Sequence, residues 1–259
     1  MASLLVVFAS NSTRSARGLK AGRGPETGHD RSGCAGQSRQ CKTRWADALG
    51  ACPLVAILRG VEPAEAVAVG RALLEAGVTI LEVPLNSPEA LKSIRSLVQQ
   101  LPASTVVGAG TVLHPKEVED VKAAGGILIV SPNMDEAVIK KTKELGLVSA
   151  PGVCTPTEAF SALKCGADAL KAFPGEMLPP KIIKAWRAVL PKSACVLAVG
   201  GVNVDNMKAY LEAGANGFGV GTALFSPGDS AEVCRQKAET MLSAFQDLSA
   251  GSSTKRQKT

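Results

Sequence analysis

Histidine, paired cysteines and long apolar runs are scarce in this chain, and each shortage closes a functional class. Its 259 residues contain two histidines, His29 and His114, and seven cysteines that form no CxxC pair. A zinc site built on the usual His/Cys spacings is therefore excluded, and neither a metal nor a cofactor is expected. No run approaches the roughly 18 apolar residues of a membrane span. No GxGxxG turn follows a strand-like run, which removes the dinucleotide fingerprint of an open doubly wound sheet. Aromatics make up only 3% of a chain that is 46% hydrophobic and carries 26 glycines. That composition suits an α/β protein packed with Val, Ile, Leu and Ala and turned tightly many times. Cys52, Cys154, Cys165, Cys195 and Cys234 stand at apolar or element-end positions and are expected as reduced, mostly buried thiols.

The formal net charge of +6 sits at the ends. Up to Trp45 there are eight basic residues against Glu26 and Asp30, so the remainder is formally neutral, and slightly acidic once Lys255, Arg256 and Lys258 are set aside. The sequence pI near 9.0 describes the tails, and no nucleic-acid partner is expected of the folded part. Residues 1–42 are rich in Ser, Arg and Gly and lack apolar periodicity, the composition of a transit peptide for an organelle, a plastid before a mitochondrion. Two alternatives stand beside it: a secretory signal centred on 4–9, alone or as part of a two-part plastid signal, and a disordered extension with no address. Without an address the chain would be cytoplasmic. Residues 251–259 read as a disordered basic tail.

From residue 43 a unit repeats: an apolar run, a turn, a helix-period stretch, then Gly or Pro. The runs fall at 54–59, 79–83, 105–108, 127–130, 147–150, 167–171, 195–199 and 217–220. Helical segments between and after them fall at 63–76, 87–101, 115–124, 135–145, 155–165, 179–190, 204–213 and 230–248. Glycine stops such as Ala76-Gly77 and Ala213-Gly214, and starts such as Ser87-Pro88-Glu89 and Thr155-Pro156, punctuate them. Eight strand/helix units in about 200 residues predict a single (β/α)8 TIM barrel over 43–250, led by a short N-terminal helix at 43–49 that Pro53 stops.

In a barrel, chemistry gathers at the C-terminal ends of the strands. There stand Arg59, Glu82, Gly110-Thr111, Ser131-Pro132-Asn133, Pro151-Gly152, Lys171, Gly200-Gly201 and Gly221-Thr222. Lys171 lies in a short apolar run closed by Pro174-Gly175. Desolvation there favours the neutral amine, a nucleophile for carbonyl carbon, and Glu82 facing the same lumen would move protons. The glycine-rich ends of strands seven and eight are where barrels hold phosphate on backbone N–H groups. The plain alternative makes Lys171 an ion-pair partner of Glu82.

The motifs at 54–60 (LVAILRG), 81–87 (LEVPLNS), 108–113 (GAGTVL), 131–133 (SPN), 150–152 (APG), 170–174 (LKAFP) and 199–202 (VGGV), in that order, resemble the 2-keto-3-deoxy-6-phosphogluconate (KDPG) aldolase family. The resemblance implies a homotrimeric barrel lyase that works without metal. It would release pyruvate and glyceraldehyde 3-phosphate from a phosphorylated keto-deoxy sugar acid through a lysine Schiff base. Carried over by motif, Lys171 forms the Schiff base and Glu82 is the general acid/base. Arg59 and Thr111 face the substrate carboxylate, Gly200, Gly201, Gly221 and Thr222 the phosphate, and Pro132, Phe173 and Val199 also line the substrate. Gluconate-type members have arginine at the place of Asn86 and threonine at that of Val199, so these features and Arg59 look like the phosphogalactonate branch. Other readings are a 4-hydroxy-2-oxoglutarate aldolase and a non-catalytic phosphosugar-binding barrel.

Overall fold

The structure, a computed structural model, describes residues 31–256, with side chains from 36 to 248. The transit-peptide reading and its alternatives lie outside the described residues. Parallel strands alternate with helices in chain order: α1 (Arg31–Ala51), β1 (Leu54–Ile57), α2 (Pro63–Ala76), β2 (Ile80–Pro84), α3 (Ala90–Gln100), β3 (Val106–Gly110), α4 (Pro115–Ala123), β4 (Leu128–Val130), α5 (Glu136–Glu144), β5 (Val148–Ala150), β6 (Gly152–Val153), α6 (Pro156–Lys164), β7 (Leu170–Ala172), α7 (Pro180–Arg187), β8 (Val196–Val199), α8 (Met207–Glu212), β9 (Gly217–Val220) and α9 (Ala231–Arg256).

The sheet runs β5-β4-β3-β2-β1-β9-β8-β7-β6. β5 and β6 are two halves of one stave interrupted at Pro151, which has no N–H to give a ladder. The lower half pairs with β4 and the upper with β7. Ala169 N donates to Ser149 O at 3.1 Å and Lys171 N to Pro151 O at 2.9 Å, so the order closes on itself. The eight expected runs are thus eight staves, the fifth longer than expected.

Alternation along each strand sorts side chains to two sides of the cylinder. Leu54, Ala56, Leu81, Val83, Leu170, Ala172, Val196 and Ala198 pack outward against the helices. Val55, Ile57, Ile80, Val106, Leu128, Val148, Ala169, Leu197 and Val199 form a separate inner cluster, completed by Cys41, Trp45 and Ala48 of α1. Helix α1 therefore plugs the N-terminal end of the barrel. It runs 21 residues, where the sequence led to a short one at 43–49, and the boundary drawn at 42/43 falls inside it. The reason is its narrow buried stripe, Cys41, Trp45 and Ala48, which supplies little periodicity upstream.

The C-terminal helix likewise continues to Arg256, past the expected start of the tail. Helix α8 is shorter than its expected 204–213, because the turn before it is closed by side chains. Asn206 Oδ1 accepts from Asn203 N at 3.0 Å, and Asn203 Oδ1 accepts from Asp205 N at 2.9 Å. At the barrel base, Asp168 accepts from Ser149 N at 2.9 Å and pairs with Lys143 and, at 3.4 Å, with Lys42 of α1.

Candidate active site

The parity that sends Ile80 and Ala169 inward does the same for Glu82 and Lys171, two residues further along β2 and β7. Both are buried, Glu82 at 2% and Lys171 at 5% exposure. Room for them comes from glycine at the facing inward positions of β3. A Cβ on Gly110 would lie 1.7 Å from Glu82 Oε1, and one on Gly108 would meet the Leu128 carbonyl oxygen at 2.1 Å. Only glycine lets the carboxyl lie flat against that strand.

Glu82 Oε1 is buried and accepts no hydrogen bond, and among the described residues no ion pair joins it to Lys171. Burial holds the Glu82 carboxyl above its ordinary range, opposed first by the Lys171 charge and then by Arg59. Burial likewise holds the Lys171 amine below its ordinary range, with Glu82 opposing and Arg59 adding to the fall. The Lys171 nitrogen stands 4.9 Å from the centroid of the Phe173 ring, a contact that favours whatever cationic character the nitrogen carries. A buried amine biased toward neutrality beside a carboxyl biased toward protonation is chemically able to add to a ketone and to shuttle the protons that addition requires.

Around this pair stand the other expected residues. Arg59 is exposed at the rim beyond β1, and its Nη1 donates to Asn86 Oδ1 at 2.7 Å. Thr111 follows β3 with a φ of 55°, in the left-handed region that a β-branched residue rarely occupies. The turn around it is held by Val112, whose N–H donates to Val130 O and whose carbonyl accepts from Ser131 Oγ at 2.7 Å. Pro132 is half-buried on the next loop; a Cβ on Gly152 would meet its carbonyl oxygen at 2.1 Å. Phe173 and Val199 project inward near Lys171, Val199 at 5% exposure.

Gly200 and Gly201 have φ of 110° and 64°, and the space around Gly221 is open, with Thr222 exposed beside it. Gly175, after β7, presses its backbone on Gly200, and its carbonyl accepts from Tyr210 Oη at 3.2 Å. Sequence reasoning missed Glu176. Its Oε2 would lie 3.3 Å from a Cβ on Gly200 and its Oε1 3.5 Å from one on Gly201, so a carboxylate borders the turn expected to take phosphate. It named Gly110 at a strand end without reading its close approach to the Glu82 carboxyl, although alternate glycines were visible in the GAGT motif, and it missed the Asn86-Ser87 contacts.

Among the described residues no group of three or more His, Cys, Asp or Glu is placed to hold a metal ion, and no helix is long and apolar enough to cross a membrane. A groove of about 640 Å³ beside α1, lined by Arg39, Thr43, Asp47, Thr79 and Ser104 among others, lies at the N-terminal end of the strands, away from the Lys171–Glu82 pair.

A closed eight-stave barrel with a desolvated lysine and carboxyl at the C-terminal ends of its strands defines a lyase of the aldolase class. The family model for KDPG and KHG aldolase matches residues 46–236, and the chain belongs to that family. It is 43% identical over 195 residues to 2-dehydro-3-deoxy-6-phosphogalactonate aldolase of Escherichia coli (strain K12), covering 75% of this chain and 95% of that protein. To 2-dehydro-3-deoxy-phosphogluconate aldolase of Dickeya dadantii (strain 3937) it is 31% identical over 172 residues, covering 66% and 79%. The solved structure described as native KDPGal superposes with a TM-score of 0.75 at 42% identity, over 76% of this chain and 96% of that one. The higher identity to the galactonate-named relative accords with the Arg59, Asn86 and Val199 motifs.

Proposed function

We propose that the chain cleaves 2-dehydro-3-deoxy-6-phosphogalactonate, its gluconate epimer or both to pyruvate and D-glyceraldehyde 3-phosphate, through a Schiff base on Lys171. The observation that carries this is the desolvated Lys171 facing Glu82 without an ion pair to quench it. The neutral amine adds to the C2 ketone, and Glu82 relays the protons that let the carbinolamine lose water. The resulting iminium accepts the C3–C4 bonding pair as the C4 hydroxyl gives its proton to Glu82, directly or through water. Glyceraldehyde 3-phosphate departs, the enamine takes a proton at C3, and hydrolysis frees pyruvate and Lys171.

Arg59 and Thr111 hold the carboxylate, the Gly200-Gly201 and Gly221-Thr222 ends hold the phosphate, and Pro132, Phe173 and Val199 bound the chain between. Because the barrel is slightly acidic overall, these local donors supply the affinity for an anionic substrate. Val199 puts an isopropyl where gluconate-type relatives present a hydroxyl, which favours the galactonate configuration at C4. The chain works as a homotrimer by the same family likeness, checked by light scattering.

The test is borohydride reduction in the presence of pyruvate, followed by mapping of the adduct, and comparison of kcat/KM for the two epimers. An adduct on Lys171 and a galactonate preference are expected. Absence of the adduct removes the mechanism, and a strong gluconate preference removes the role given to Val199. The second reading, cleavage of an unphosphorylated 4-hydroxy-2-oxo acid, is favoured by one observation, the Glu176 carboxylate beside Gly200 and Gly201.

A further inference from the structure

We infer that Asn86 is a positioning residue: its side-chain oxygen holds the Arg59 guanidinium in place to meet the substrate carboxylate. The inference rests on the role proposed above for Arg59. Arg59 is exposed, and a free arginine side chain samples many rotamers, so holding it in one orientation has an entropic cost that a fixed partner must offset. Among the described residues no carboxylate pairs with it. Its side-chain bond is the one from Nη1 to Asn86 Oδ1 at 2.7 Å. A neutral acceptor suits the task, because it orients the guanidinium without cancelling its charge, whereas aspartate would pair with it.

The neighbouring residue grips the same turn through its backbone. Ser87, buried at 7% exposure, accepts from Gly60 N at 2.9 Å and donates to Leu58 O at 3.5 Å, on either side of Arg59. The loop after β2 thus clasps the loop after β1 at three points, with the guanidinium as one of them. What it holds is felt at the centre, since the Arg59 charge acts on both Glu82 and Lys171.

A double-mutant cycle of Asn86→Ala and Arg59→Ala tests this, read as kcat and KM for cleavage of the phosphorylated substrate and as the rate of pyruvate-dependent borohydride inactivation. Asn86→Ala should lower kcat/KM about tenfold in the wild-type background, mainly through KM, and less than twofold when Arg59 is already alanine. The charged groups acting on the pair are Arg59 and the two partners themselves. Release of Arg59 should therefore move both limbs of the pH profile of kcat/KM upward. Equal effects in the two backgrounds, or none in the wild type, would overturn the positioning role. A wild-type protein that cleaves neither epimer would instead refute the proposed function.

Discussion

Gly110→Ala puts the proposed chemistry under the most direct strain. Gly110 sits on β3 outside the positive-φ region, so alanine meets no backbone penalty there and the whole effect is one of space. Its Cβ would stand 1.7 Å from Glu82 Oε1 and 2.6 Å from the carboxyl carbon, where ordinary contact begins near 3.4 Å. The carboxyl must retreat by about as much again as the distance it now has. A 1 Å misplacement of a catalytic group costs on the order of 100-fold, so kcat should fall by at least about 10², equivalent to ~2.7 kcal/mol in the barrier. Overpacking costs folding stability about 1–3 kcal/mol, which calls for paired measurements: steady-state cleavage by coupled assay of pyruvate, and thermal unfolding by circular dichroism. The expected result is a folded protein with a modestly lower Tm and a collapsed kcat. A folded Gly110→Ala protein turning over within threefold of wild type would refute the placement of Glu82 as the proton-moving group.

Two further outcomes follow from the same site. Lys171→Met should abolish the borohydride adduct and raise stability at neutral pH by about 1–2 kcal/mol, since it removes a desolvated amine. The sign is set by the lowered Lys171 pKa. Between that value and the ordinary lysine range near 10.4, the unfolded chain binds more protons, so the contribution of Lys171 to stability is present at high pH and lost as pH falls through the lowered value. Melting curves from pH 7 to 10.5 should therefore rise with pH less steeply in the variant, and parallel curves would contradict the desolvation. Glu176→Gln should raise the ratio of kcat/KM for the phosphorylated over an unphosphorylated substrate by about tenfold, because a like charge beside the Gly200-Gly201 turn opposes a phosphate dianion. An unchanged ratio would show that phosphate binds elsewhere.

Much of this was legible before any coordinates. The repeat of apolar run, turn and helix fixed eight staves because each unit carries its own punctuation, and the residues at strand ends follow from barrel geometry alone. Lys171 and Glu82 were readable as polar groups in runs that burial otherwise keeps apolar. What escaped reading depends on contacts between segments distant in sequence. Pro151 looked like a strand terminator, yet its carbonyl accepts from Lys171 N and the stave continues. The length of α1 escaped because it fills the barrel with three side chains only. Glu176 escaped because nothing local ties it to Gly200, and the Asn86–Arg59 bond because it spans 27 residues.

The stopper formed by Cys41, Trp45 and Ala48 makes the cylinder a blind tube. Between it and the level of Lys171 and Glu82 lie Ile80, Val106, Leu128, Val148 and Ala169, a buried apolar floor. Everything that reaches the lysine must arrive and leave by one mouth. On the proposed reaction the fragment bound to Lys171 is the inner one and the aldehyde the outer, so the order of departure is imposed by traffic. The aldehyde has to clear the mouth before water can enter to free the second product, and in the synthetic direction pyruvate has to go in first.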